Sequence, residues 1–511
     1  MAERVVIVGA GVGGLVSAAL LARRGLDVTV LDSEATPGGK LRAIEGIDAG
    51  PTVFTMRDVF DKVFDDCGAH LDDHLALTPA ATLARHAWGD GSTLDLFADS
   101  QASENAIGDF AGPGAVEGYR RFRREAKRIH DALDRPFLRA SRTDPLTLGY
   151  RMGLSGFTDY CTLRPYTSLW RALGSYFPDP RLRQLFGRYT TYCGSSPFRT
   201  PATLMLIADV EAKGVWLVEG GMHKLGSALA ALAERAGAKL RYGERVSEVL
   251  SERRRAAGVM TAKGERIFAD KVIVNADPAA LGAGRFGELA ARAVGAMPVR
   301  ARSQSALVWL AKGSAAGLSL TRHNVFFSDD YRAEFDAIAR GEVPTAPSVY
   351  VCAQDRADDA APRSSESFQI IVNAPPNGDT HNYSTQETDR CTTHMLATLE
   401  RCGVSLSPQS LSVLTPNDFE RLNPSTGGAL YGRASHGWAA SFRRQGSRTR
   451  MPGLYCAGGS THPGAGVPMA ALSGRLASEA LLSDLVSTAM SRPVGTVGGM
   501  STRSPTTAST G

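Results

Sequence analysis

Glycines 9, 11, 13 and 14, in the run Gly9-Ala-Gly11-Val-Gly13-Gly14, have the spacing of a turn that holds a dinucleotide pyrophosphate. Gly9 permits a tight turn, Gly11 lets backbone approach the phosphates, and Gly14 lets the following helix pack close to its strand. The helix start offers unpaired N–H groups to the anion. Asp32 follows a second apolar run, at roughly the 20-residue spacing where a carboxylate accepts both ribose hydroxyls. A second turn lies near the other end of the chain. Gly458-Gly459-Ser-Thr-His462-Pro463-Gly464-Ala-Gly466-Val467 precedes a helical segment whose positive end faces whatever lies above Gly466. Such an end favours negative charge in the group it meets. His462 is the nearest titratable side chain in this turn. An imidazole there is a candidate proton acceptor near neutral pH, or a group that orients the glycine-rich loop by hydrogen bonds.

These residues need elements to hold them. Residues 4–9 read as a strand buried on both faces, 15–24 as a helix ended by Gly25, and 28–31 as a second strand leading into Asp32. After a long excursion the nucleotide-binding pattern returns. A helix is expected from Met222 to Arg235 and a strand at 237–242. A hairpin is expected around Lys263-Gly264, then a buried strand ending in Asn275-Ala-Asp277. A short strand at 454–457 and a helix at about 469–485 complete the unit. Strand-like runs at 305–311, 348–353 and 367–374 with a helix at 388–400 predict a mixed sheet with flanking helices.

The fold class is therefore α/β: a Rossmann-like dinucleotide-binding domain interleaved with an α+β substrate domain. Residues 1–100, 210–290 and 446–486 are assigned to the first, and 101–209 and 291–445 to the second. The Ser/Thr/Gly/Pro-rich stretch 487–511 is expected to be a disordered tail. At 511 residues more than one domain is required.

Composition narrows the partners. A formal charge of +5 is small for this length and gives no reason to expect nucleic acid. Seven cysteines without CxxC spacing argue against a disulfide framework or zinc site and for a reducing compartment; no metal cluster is evident. The uncharged stretch 5–22 is long enough to tempt a membrane-span reading, but its glycines at nucleotide-loop spacing argue against one, so membrane contact is expected to be peripheral. Val116, Tyr119, Phe122, Ala126, Ile129 and Leu133 form one apolar helical stripe, opposite Arg120, Arg121, Arg123, Arg124, Lys127 and Arg128. That helix either packs on its own domain with a solvated basic face or meets anionic headgroups. Ten aromatic residues between Tyr150 and Tyr192 could line an apolar tunnel, lie at a lipid interface or fill a helical core.

Pro37-Gly38-Gly39-Lys40, close behind Asp32, is not needed for NAD. It resembles the extended motif of FAD-dependent amine oxidases and carotene desaturases. The run 458–467 is similar to the C-terminal hallmark of bacterial phytoene desaturase-like carotenoid oxidoreductases, and the resemblance covers about residues 3–485. An acidic residue usual near Gly459 in amine oxidases is missing, which favours the carotenoid enzymes. The stretches 48–56, 187–197 and 211–222 resemble hydroxyneurosporene and methoxyneurosporene desaturases.

The resemblance implies FAD as cofactor, with Gly39 and Lys40 near the pyrophosphate, Val246 backbone at the adenine side, and the 48–54 loop beside the isoalloxazine ring. It implies 3,4-desaturation of an acyclic 1-hydroxy or 1-methoxy carotenoid in carotenoid biosynthesis. A hydride would leave one carbon for the flavin and a proton the other. A tertiary alcohol at the substrate end would need a polar partner when desolvated, and Arg188, Tyr189 and Tyr192 are candidates. No second fingerprint for a nicotinamide appears, so oxygen or a membrane quinone is the expected electron acceptor. The expected location is peripheral, on the cytoplasmic side of an anionic membrane. Alternatives are a phytoene desaturase, isomerase or saturase of the same family, a flavin amine oxidase, or a non-catalytic flavin-binding scaffold.

Overall fold

The computed structural model describes residues 2–153, 163–357 and 364–490. Its first sheet is parallel, in the order Leu454–Cys456, Lys271–Val274, Arg4–Val8, Asp27–Leu31, Lys239–Arg241. The strands are Val- and Ile-rich because both faces are covered. Val5 and Ile7 point into one core with helix Val12–Arg23, while Val6 and Val8 point into another beneath the three-stranded sheet Val246–Glu252, Arg255–Thr261, Arg266–Phe268. Strand period thus divides one short segment between two cores.

Helix Val12–Arg23 is buried on nearly every side, wedged between the sheet and helices His223–Arg235 and Val467–Met490. A helix apolar all round needs such a site. Ser17 Oγ donates to the carbonyls of Gly13 (2.8 Å) and Gly474 (2.9 Å), pinning the first helix to the last. Gly25, at φ +82°, closes it as expected: Gly25 N–H bonds Ala22 O and Leu26 N–H bonds Leu21 O.

The second sheet has seven strands, in the order Val404–Leu414, Ser305–Gly317, Glu366–Ala374, Val349–Ala353, His323–Phe326, Thr82–Ala87, Thr93–Phe97. All pairs are antiparallel except His323–Phe326 with Thr82–Ala87, so the sheet is mixed. One face, with Trp309, Ile370 and Val372, packs under helix Thr385–Arg401. Two boundaries differ from the sequence reading. The strands at 82–97 join this sheet although 1–100 is assigned to the nucleotide unit. Their hydrogen-bonding partner lies beyond residue 320, which local pattern does not reveal. The last helix also runs to Met490, because no proline or glycine interrupts it there, so 487–490 are helical rather than tail. Residues 491–511 lie outside the described residues.

The basic amphipathic helix forms as Pro113–Leu133, with Tyr119, Phe122, Ala126, Ile129 and Leu133 buried. Phe122 packs among Tyr176, Phe177 and Phe186. Of the ten clustered aromatics, Tyr176, Phe177, Phe186 and Tyr189 are core, whereas Tyr150 and Tyr166 are exposed. Phe157 and Tyr160 lie outside the described residues. Among the described residues no helix is long and apolar enough to cross a membrane.

Candidate cofactor and substrate site

At the carboxyl ends of the parallel strands the two glycine turns meet. A Cβ on Gly13 would lie 2.8 Å from the Gly458 amide nitrogen, and one on Gly14 would lie 2.1 Å from the Gly9 carbonyl oxygen. Gly38 N–H bonds Ala10 O (2.9 Å), and Gly11 bridges Gly38, so the 37–40 segment docks on the first turn. Gly39 follows it, within 3.0 Å of Gly11 Cα if it carried a Cβ. Side chains at these points would separate the turns.

Asn275 fills the seam. Its Nδ2 donates to Gly9 O (3.3 Å), while its Oδ1, beside Gly13 and Gly458, is buried without a partner among the described residues. The sequence shows only a buried strand ending in polar residues; the signal was its position at the carboxyl end of a parallel strand, where α/β folds bind ligands.

Asp32 accepts from Ala10 N–H (2.6 Å) and Glu34 N–H (2.8 Å). Burial raises its pKa, against the lowering by those two amides. Lys40 is also desolvated, which lowers its pKa, and its ammonium donates to Leu430 O, tying the first turn to the second region. Val246 opens its strand beneath these groups.

One cavity of about 1080 Å³ is lined by Gly9, Gly11, Gly13, Asp32, Gly39, Lys40, Val246, Gly458, Gly459, Gly464, Gly466 and Val467. Gly14 packs behind it. Gly50, Pro51, Thr52 and Val53 line it too. That loop is fixed from both sides. The Asp48 carboxylate accepts from Met222 N–H (2.5 Å) and His223 N–H (3.2 Å), while Gln369 Nε2 donates to Gly50 O (2.9 Å). Further along, Leu133, Phe137, Ile207, Val308, Val325 and Phe327 make apolar walls.

Polar groups interrupt these walls. Arg188 donates through Nε to His86 Nε2 (3.1 Å) and through its Nη atoms to Tyr192 and Glu211; Tyr192 OH donates to Glu211 Oε2 (2.9 Å), and Tyr189 OH to Oε1 (2.6 Å). Burial works against the Arg188 charge, but Tyr192 and Glu211 outweigh it and hold the guanidinium above its ordinary pKa. Nearby, Tyr350 OH bonds Thr52 Oγ1 (2.7 Å) and His323 Nδ1 (2.8 Å). Glu334 also lines the cavity; burial pushes its carboxyl up to about 7, although Ser348 N–H and Asn373 Nδ2 bond it. Arg188, Tyr189 and Tyr192 were sequence candidates; Glu211, Tyr350 and Glu334 were not singled out, since each becomes a cavity group through a different element.

His462 faces away from the cavity. Its Nε2 donates to the Phe137 and Ala140 carbonyls (3.0 and 2.9 Å), and its ring meets Phe137 edge-on. It does not border the cavity, although Pro463 and Gly464 do. Burial lowers its pKa to about 4. Of the two readings the sequence left open for this ring, proton acceptor or orienter of the loop, its contacts with the 137–140 backbone match the second.

The flavin containing amine oxidoreductase family model matches residues 12–482. This chain belongs to that family. A hydroxyneurosporene desaturase of Rubrivivax gelatinosus is 51% identical, covering 99% of this chain and 98% of its own; one of Cereibacter sphaeroides is 45% identical, covering 95% and 98%. An oxidoreductase structure from Methanosarcina mazei shares the fold at 16% identity and TM-score 0.55, covering 94% of this chain and 100% of that one. As a member of the flavin amine oxidoreductases, the protein is an FAD-dependent oxidoreductase. The residues present fit that cofactor. The glycines form a cradle that side chains would fill, Asn275 Oδ1 lacks a partner there among the described residues, and helices begin at Val12 and Val467.

Proposed function

We propose that the protein desaturates an acyclic carotenoid oxygenated at C1, introducing its 3,4 double bond. The whole-chain likeness to hydroxyneurosporene desaturases carries this reading. The apolar cavity that continues from the glycine cradle supports it, because a polyene must lie against the flavin ring away from water.

FAD supplies the acceptor for the two electrons that leave the substrate. The chain's own groups do the rest. Helix starts at Val12 and Val467 would favour the anionic parts of the cofactor, and Asp32 would hold its ribose hydroxyls. Asp48 and Gln369 fix the 48–54 loop so that the reacting bond is held in place. His462 acts as a positioning residue for the 458–467 turn. Oxygen or a membrane quinone takes the electrons onward.

Substrate reaches the cavity from a membrane on the cytoplasmic side. The basic helix gives weaker support than its charge suggests: Arg120, Arg124, Lys127 and Arg128 pair with Glu104, Glu117, Asp131 and Glu125. Leu146, Tyr150, Tyr166 and Trp438 are exposed apolar side chains suited to an interface, and Tyr166 touches Trp438.

The test is incubation of FAD-loaded protein with phytoene, neurosporene and 1-hydroxyneurosporene. A red shift is expected above all with the hydroxylated polyene. Conversion of phytoene in its place would assign a different desaturase, and conversion of none would remove the reading.

A further inference from the structure

In a carotenoid with oxygen on C1, one methylene separates the oxygen-bearing carbon from the C3–C4 bond. The oxygen therefore enters the protein within a side-chain length of the reacting carbons. A desolvated hydroxyl is costly unless it is hydrogen-bonded. The polar groups that receive it must border the cavity close to the loop that holds the reacting bond.

Thr52 belongs to that loop and is bonded to Tyr350 at 2.7 Å. Tyr350 extends from strand Val349–Ala353 of the second sheet. Tyr192, Glu211 and Tyr350 border the same cavity. Arg188, 4% exposed, stands behind Tyr192 and sends Nε to His86; each Nη carries a second N–H beyond its bond to Tyr192 or Glu211. A buried charge pair beside hydrocarbon walls gives little stability by itself. Facing an oxygen, it supplies donors from Arg188 and acceptors from Glu211 and the phenol oxygens.

We propose that Thr52, Tyr192, Tyr350, Arg188 and Glu211 form the subsite that recognises the C1 oxygen and so selects hydroxylated over unsubstituted polyenes. The inference rests on the functional reading above. A hydroxyl uses both donors and acceptors of the subsite. A methoxy oxygen uses only the donors and is the weaker ligand.

The experiment compares 1-hydroxyneurosporene with neurosporene in the FAD-loaded protein and its Tyr192→Phe, Tyr350→Phe and Thr52→Val variants. Two ratios are read: kcat/KM, and Kd from quenching of flavin fluorescence. The wild type should favour the hydroxylated polyene by about tenfold to a hundredfold, and each variant should cut that preference several-fold. Flavin absorption after gel filtration identifies the variants that retain the folded site, and Thr52→Val gives a loop position if a tyrosine variant loses its cofactor. An unchanged preference in the variants that keep FAD overturns the inference. So does wild-type conversion of both polyenes with equal efficiency, which leaves desaturase function standing. Wild-type conversion of neither overturns the functional reading and this inference with it.

Discussion

Gly13 and Gly458, from opposite ends of the chain, touch through their backbones: a Cβ on the first would lie 2.8 Å from the nitrogen of the second and 2.9 Å from its Cα. The contact closes the cofactor cradle and leaves no room for a methyl group. Asn275, whose Oδ1 is 2.8 Å from the same point, prevents relief sideways.

Gly13→Ala should therefore release FAD and destabilise the protein by about 1–3 kcal/mol, the usual range for overpacking. Gly114→Ala is the control, because that helical glycine has open space around it and alanine is the better helix former. Flavin absorption after gel filtration and thermal melts read both. Retained flavin in the Gly13 variant would show that the turns part without cost.

His462 separates positioning from proton transfer. His462→Ala leaves the Phe137 and Ala140 carbonyls without their donor and should cost about 1–3 kcal/mol with weaker FAD retention. His462→Gln restores an N–H near Nε2 and should recover flavin and turnover together. If glutamine restores flavin but turnover stays lost, the imidazole is acting as the proton acceptor.

Glu334 sets a pH dependence of stability. Its folded pKa is raised from 4.5 to about 7 by burial, so the folded state keeps a proton the unfolded state has lost. The stabilisation is full below about pH 4.5 and disappears as pH rises through about 7. Its total is roughly 3 kcal/mol on linkage. Melting temperature should fall over this window relative to Glu334→Gln, in which that component is absent. Parallel pH profiles for the two proteins would refute it.

Membrane docking through the exposed aromatic surface predicts that the Leu146→Ser/Tyr150→Ser pair weakens vesicle sedimentation at all salt concentrations. Charge reversal on the basic helix should have a smaller, salt-sensitive effect. Binding that salt abolishes, with no change in the serine pair, would return the contact to the basic face.

How much the sequence contained can be judged residue by residue. The strand, turn and helix of 4–23, Asp32 behind them, and the 458–467 turn were legible because each is a short-range pattern. Glycine is required where backbone must turn or come close, and β-branched residues mark a strand buried on both faces. The hairpin around Lys263-Gly264 and the strands at 305–374 followed in the same way. The direction of the His462 ring, the wedge made by Asn275 and the joining of Arg188 to Glu211 did not. Each depends on what a distant segment places opposite the side chain. The sheet chosen by the strands at 82–97 depended likewise on a hydrogen-bonding partner far along the chain. Local sequence thus determined that a dinucleotide cradle exists and which glycines build it. Tertiary packing decided which polar groups face the cavity, because burial and hydrogen bonding are set by neighbours in space.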